Sequence, residues 1–246
     1  DLMRLFGSDR IALLTERLGL PEDAEIKAGM LSGAIERAQK RVEGMNFERR
    51  KAVLEYDDVL NQQRRIIYAQ RAEVLEGVDL RSKLENMICE SVSMQVERFL
   101  VPKEGEPQYD ALRAYYLGLL TVKGDFTEEK PSAEEVTKLL TDRAMALYHS
   151  KDQLFADVSQ DMREVERVIL LRQVDSHWMD HIDAMEEFKN EVRLNAYAQR
   201  SPISEYRITG AAMFDDMIED IRESTVRSLL SVRPRPQPVR RMQVFR

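Results

Sequence analysis

Between Leu31 and Leu75 the chain holds no proline, and its apolar residues return at three- and four-residue steps. Leu31, Ile35, Ala38, Val42 and Met45 set the period, which resumes after Arg49 as the doublets Ala52/Val53, Val59/Leu60, Ile66/Ile67 and Val74/Leu75. A stripe of that period lets an amphipathic helix bury one face. The seven-residue spacing of Val53, Leu60, Ile67 and Val74 predicts one helix that faces a partner over most of its length. About 45 residues at ~1.5 Å each make a rod of nearly 70 Å, so several elements should dock along it. Gly44 is its weak point: inside a helix glycine costs up to ~1 kcal/mol relative to alanine, so a bend or break is expected there.

The flanking segments are also helical. Leu5-Phe6, Ile11, Leu14 and Leu18 predict a short helix over 2–18, ended by Gly19 and Pro21. Gly77-Val78-Asp79 closes the long helix, and Leu84, Met87/Ile88, Val92 and Val96 mark a helix from Leu80 to Val101, stopped by Pro102. Shorter helices are expected over 109–120 and 133–150, the second opened by the capping-box pair Ser132 and Glu135. The long period returns with Val165, Val168, Leu171, Val174, Trp178, Ile182, Met185, Phe188 and Val192, giving a helix of about 30 residues. Ser201-Pro202 bounds a last helix bearing Met213/Phe214, Met217/Ile218, Ile221, Val226 and Leu229/Leu230. Two long helices joined by a short link predict an antiparallel hairpin. The fold class is therefore all-α: a long scaffold helix packed against a two-helix finger, with a small helical domain of different texture, 77–157, inserted between two halves of the scaffold. Arg233 to Arg246, with three prolines, five arginines and no acid, reads as an extended or disordered basic tail.

Composition narrows the function. Of 246 residues, 33% are charged, and 44 acidic against 37 basic side chains leave a net charge of −7, which argues against a general polyanion binder. A single cysteine, Cys89, allows no intrachain disulfide and no multi-cysteine metal site. No run approaches the ~18 apolar residues of a membrane span. The start, Asp1-Leu2-Met3-Arg4, shows neither a secretory signal nor an initiator methionine, and the expectation is a piece of a longer polypeptide.

Chemistry is sparse. No Gly-rich phosphate loop is present. Asp57 and Asp58 are successive helical residues that do not share a face, so they make a poor acid/base pair. His177 and His181, four apart, have the spacing of two zinc ligands, yet Trp178 stands where a metallopeptidase needs its glutamate. Trp178 reads as a core anchor, and His181 as hydrogen-bonded to a facing helix. Arg49-Arg50-Lys51 and Arg64-Arg65 are either a solvated face or a contact for a partner. Leu194 and Tyr197 fall at the tip of the hairpin, either exposed for another chain or tucked back against a neighbour.

Several stretches are specific enough to carry a resemblance. Ala38-Gln39-Lys40-Arg41-Val42-Glu43-Gly44, then Asn46-Phe47, Arg50-Lys51 and Leu54-Glu55-Tyr56-Asp57-Asp58-Val59-Leu60-Asn61-Gln62-Gln63-Arg64 resemble the scaffold helix of the SecA family of bacterial preprotein translocase motors. Asp175, Trp178, His181 and Met185 resemble the family's first finger helix. Leu194, Tyr197, Gln199, Pro202, Glu205-Tyr206 and Met213-Phe214 resemble its fingertip and returning helix. Asn195, Ser201 and His177 depart from the family's usual Arg, Asp and apolar or basic residues.

The resemblance implies a division: 1–22 as the end of the second nucleotide-binding domain, 23–76 and 158–232 as helical scaffold, 77–157 as helical wing, and 233–246 as the tail. The finger spans about 159–224, with its tip about 193–202. It implies polypeptide contact by Leu194, Tyr197, Gln199 and Arg200, and scaffold or interdomain contacts by Arg50, Glu55, Tyr56, Asp57, Asp58, Asn61, Arg64, Trp178 and His181. The implied partners are the SecY channel complex, unfolded preprotein, the motor's own nucleotide- and preprotein-binding domains and, for the whole motor, anionic lipid; no nucleic acid is expected. The implied place is the cytoplasm, at the inner face of the bacterial plasma membrane. This piece carries no catalytic residue, metal or cofactor in that reading, while ATP and Mg belong to the parent ATPase. Two rivals stand beside it: a coiled-coil module dimerising through 31–75, and a helical metal enzyme using His177 and His181.

Overall fold

The computed structural model describes residues 28–76, 80–194 and 201–234; for 28–32, 34, 35, 193 and 194 it describes the backbone alone. The expected helix over 2–18, the closing Gly77-Val78-Asp79, the link 195–200 and the tail beyond Pro234 lie outside these residues. Six helices and no strand are present among the described residues: α1 Ala28–Leu75, α2 Leu80–Leu100, α3 Tyr109–Tyr115, α4 Ala133–Ala156, α5 Met162–Leu194 and α6 Pro202–Ser231. By contacts the chain divides into two units, 1–61 and 62–246.

In the first unit α1 is unbroken through Gly44. The expected break is absent, since a lone glycine weakens a helix without removing any of its hydrogen bonds. The expected stripe is only partly covered: Ala38 is buried, while Met45 and Val53 are exposed, as are Phe47 and Leu54 outside it.

In the second unit the same stripe is buried, with Ile67 at 0% and Val74 at 3% exposure. They join one continuous apolar core with Leu84, Ile88 and Val92 of α2, Leu140 and Ala144 of α4, Leu170 and Val174 of α5, and Ile221 and Leu229 of α6. α5 and α6 form the most extensive contact, and their partners run in opposite order: Gln173 meets Ser228, His177 meets Ser224 and Phe188 stacks on Tyr206. That order makes the hairpin antiparallel. α2 and α4 also run antiparallel, with Arg81 on Asp152 and Glu85 on His149.

Three local expectations shift. The helix from Tyr109 stops at Tyr115, because Gly118, at φ 78°, turns its N–H forward to the Thr121 carbonyl instead of back to Ala114. The helix begun at the Ser132/Glu135 capping box runs on to Ala156, where Lys151 and Phe155 continue the buried row of Ala144 and Tyr148. In α5 the buried row is Met162, Glu166, Leu170, Val174, Trp178, while Val168 is 53% exposed. A carboxylate occupies that row since it has partners there, described below.

Candidate functional site

The shaft of the hairpin is built around Trp178 and His181. Their three-residue spacing on α5 puts both on the buried face, with 6% and 5% exposure. The imidazole stacks on the Trp178 indole, centroids 5.7 Å apart, and takes the edge of Phe214 from α6 at 5.8 Å. Its Nε2 lies 3.0 Å from Gln63 Oε1 of α1. Gln63 Nε2 donates to the Gly210 carbonyl at 2.9 Å, so its oxygen is the atom turned to His181. The imidazole therefore donates from Nε2, the neutral tautomer protonated there. Burial holds the His181 pKa below its ordinary value, which favours that neutral form. One turn along α5, Arg71 of α1 pairs with Asp175, Nε to Oδ1 at 2.9 Å. The last part of α1 is thus tied to the shaft by one buried amide and one half-exposed ion pair.

His177 turns to a different partner, with Nε2 3.0 Å from Ser224 Oγ. The two histidines are each spent on α6 or α1, and no group of three or more His, Cys, Asp or Glu able to hold a metal occurs among the described residues. No helix among those residues is long and apolar enough to cross a membrane.

The base of the hairpin is polar. Glu166, 0% exposed, accepts from Tyr148 Oη at 2.6 Å and from Arg163 Nη1 at 2.7 Å. Burial raises the Glu166 pKa above the carboxylate range, opposed by these two donors. Asp152 binds Arg163 and, through Oδ2 at 3.0 Å, Arg81 of α2. Lys151, 6% exposed, donates to Val232 O at 3.0 Å. Desolvation lowers its pKa, with Arg233 adding to the effect.

Of the residues expected at the tip, Leu194 is the last of α5, and Tyr197, Gln199 and Arg200 lie outside the described residues, as does Asn195. Ser201 is the N-cap of α6, without a side-chain cap bond, and Pro202 follows in the first turn. On α1, Arg50, Asp57, Asp58 and Asn61 are exposed, Glu55 is half-buried and Tyr56 is buried; Arg64, in the second unit, is exposed. Gln63, which apolar periodicity does not single out as a contact, precedes Ile67 by one turn on the buried row. A polar residue in that position is the signal of a partner across the interface.

A helical hairpin bonded along its shaft to the last part of α1, and at its base to α4, defines an all-α scaffold fold among the described residues. Residues 25–233 match the family described as the SecA wing and scaffold domain, and the chain belongs to that family. It is 43% identical over 249 residues to the protein translocase subunit SecA of Clostridium acetobutylicum, covering 99% of this chain and 29% of that protein. The subunits of the same name from Clostridium tetani and Caldicellulosiruptor saccharolyticus are each 43% identical, covering 98% of this chain and 29% and 28% of theirs. The chain spans less than a third of the length of these relatives.

Proposed function

We propose that this chain is the scaffold, wing and finger portion of a motor that drives preproteins through the SecY channel at the inner face of the bacterial plasma membrane. The observation that carries the reading is the α5–α6 hairpin, held to Gln63 and Arg71 of α1, in a chain that matches translocase subunits over 98–99% of its length. In this reading 23–76 and 158–232 are scaffold and 77–157 is wing. The remaining domains of the motor bind ATP and Mg, and their movements arrive through α1. Arg50, Glu55, Asp57, Asp58, Asn61 and Arg64 meet those domains. The tip, with Leu194, Tyr197, Gln199 and Arg200, touches the moving polypeptide, and an aromatic beside an aliphatic group packs against many side chains with little selectivity.

Tyr197→Ala in the full-length motor should impair translocation and leave basal ATP hydrolysis largely intact; equal loss of both would end the assignment. A photocrosslinker at position 197 should reach a stalled preprotein only when the channel is engaged.

The exposed Phe47, Val53 and Leu54 favour a second reading, a self-associating helical module without a motor role. It requires a mass that rises with concentration in light scattering, and a constant mass would end it.

A further inference from the structure

Tyr148, Lys151 and Asp152 lie on one face of α4, since three- and four-residue spacings coincide on a helix. Together they hold both legs of the hairpin at its base. Tyr148 donates to Glu166 Oε1 of α5, Asp152 takes Arg163 of α5, and Lys151 donates to the carbonyl of Val232, the residue that closes α6. Arg163 also reaches Glu166 Oε2, so both oxygens of the buried carboxylate are held. From the other side α2 braces the same turn through Arg81 on Asp152 and Glu85 on His149.

The link between α4 and α5 has its own peculiarity. Ser159 sits at φ 56°, in the left-handed region that a non-glycine residue enters at a cost. The bonds from Tyr148 to Glu166 and from Asp152 to Arg163 straddle it. Charged groups taken out of water add little stability over apolar residues of the same volume, but directional bonds select one geometry. Such a cluster at a single joint, beside a strained residue, fits a part whose angle matters.

We propose that α4 clamps the base of the hairpin, with Tyr148, Lys151 and Asp152 setting the angle at which α5 and α6 leave the α2–α4 layer, and with the link at Ser159 as pivot. This rests on the reading of the hairpin as the working lever, and gives the inserted helices a duty within it: they hold the base so that a displacement emerges at the tip.

The clamp is tested in the whole chain by Tyr148→Phe combined with Lys151→Met, which keep the buried ring and alkyl stem and remove both donors. Hydrogen–deuterium exchange should quicken about tenfold in 157–170 and in the last turn of α6, as expected for losing one or two charge-assisted hydrogen bonds. Exchange in 174–190 and in α2 should stay as it was. Labels at the exposed Lys138 and Glu187 should give one narrow distance distribution in the parent and a broader one in the variant. Glu166→Gln should loosen only the start of α5, and Lys151→Met alone only the end of α6. Exchange that quickens equally in every helix of 62–234, or a distance distribution of unchanged width, overturns the clamp. Neither readout needs a channel or a preprotein, so the clamp and the role of Tyr197 can fail separately.

Discussion

His181 exchanges its water for the Trp178 and Phe214 rings and a single hydrogen-bond partner, Gln63. Because burial depresses its pKa, the unfolded chain takes a proton near pH 6.5 that the folded chain refuses until lower pH. Above that value the group contributes no pH dependence; below it, stability falls as pH falls, down to the folded pKa. Urea unfolding between pH 8 and 5 should show this slope, and the difference between the parent and His181→Phe isolates it. Trp178→Ala should cost roughly 3–5 kcal/mol, the range for emptying a large aromatic site, in the same measurement. Glu166 has the opposite sign: its raised pKa means that ionisation opposes folding as pH climbs above the ordinary carboxylate value, and Tyr148, Arg163 and Arg81 partly offset that.

At the scale of elements, α1 carries the plainest prediction. A methyl group at Gly44 would meet no atom within 4 Å, so Gly44→Ala should raise helix stability by up to about 1 kcal/mol, visible as a higher midpoint for the loss of helical circular dichroism. The helices were legible because each buries one face at a helical period: Leu84, Ile88, Val92 and Val96 in α2, or Phe214, Met217 and Ile221 in α6. What periodicity could not show is how a polar residue in a buried row is satisfied. Glu166 falls four residues from both Met162 and Leu170, a place that apolar counting passes over for Val165 and Val168. Of its donors, Arg163 stands three residues earlier on α5 itself, but Tyr148 is supplied by the way α4 lies on α5, which is tertiary information. The early stop of α3 had the same origin, since the Gly118 N–H turned to the Thr121 carbonyl in the following loop instead of to a carbonyl one helical turn back. At the tip the sequence offered residue types and a resemblance, and the test of Tyr197 belongs to experiment.

Considered as a whole molecule, the chain shows unequal surfaces. Among the described residues of the first unit Phe47 is 59% and Leu54 64% exposed, a pattern of surfaces built to be covered. The chain alone should bind more of an apolar dye per residue than a full-length relative, and Phe47→Ser with Leu54→Ser should remove most of the excess. The described residues of the second unit, by contrast, share a continuous core to which α1, α2, α4, α5 and α6 all contribute. The contact between Lys151 and the Val232 carbonyl has a mechanical consequence. A tension applied to the chain beyond Pro234 meets a hydrogen bond to α4 at Val232, the residue that caps α6. The load is therefore shared between two helices before either can unwind, and single-molecule pulling should register a higher rupture force for the parent than for Lys151→Met.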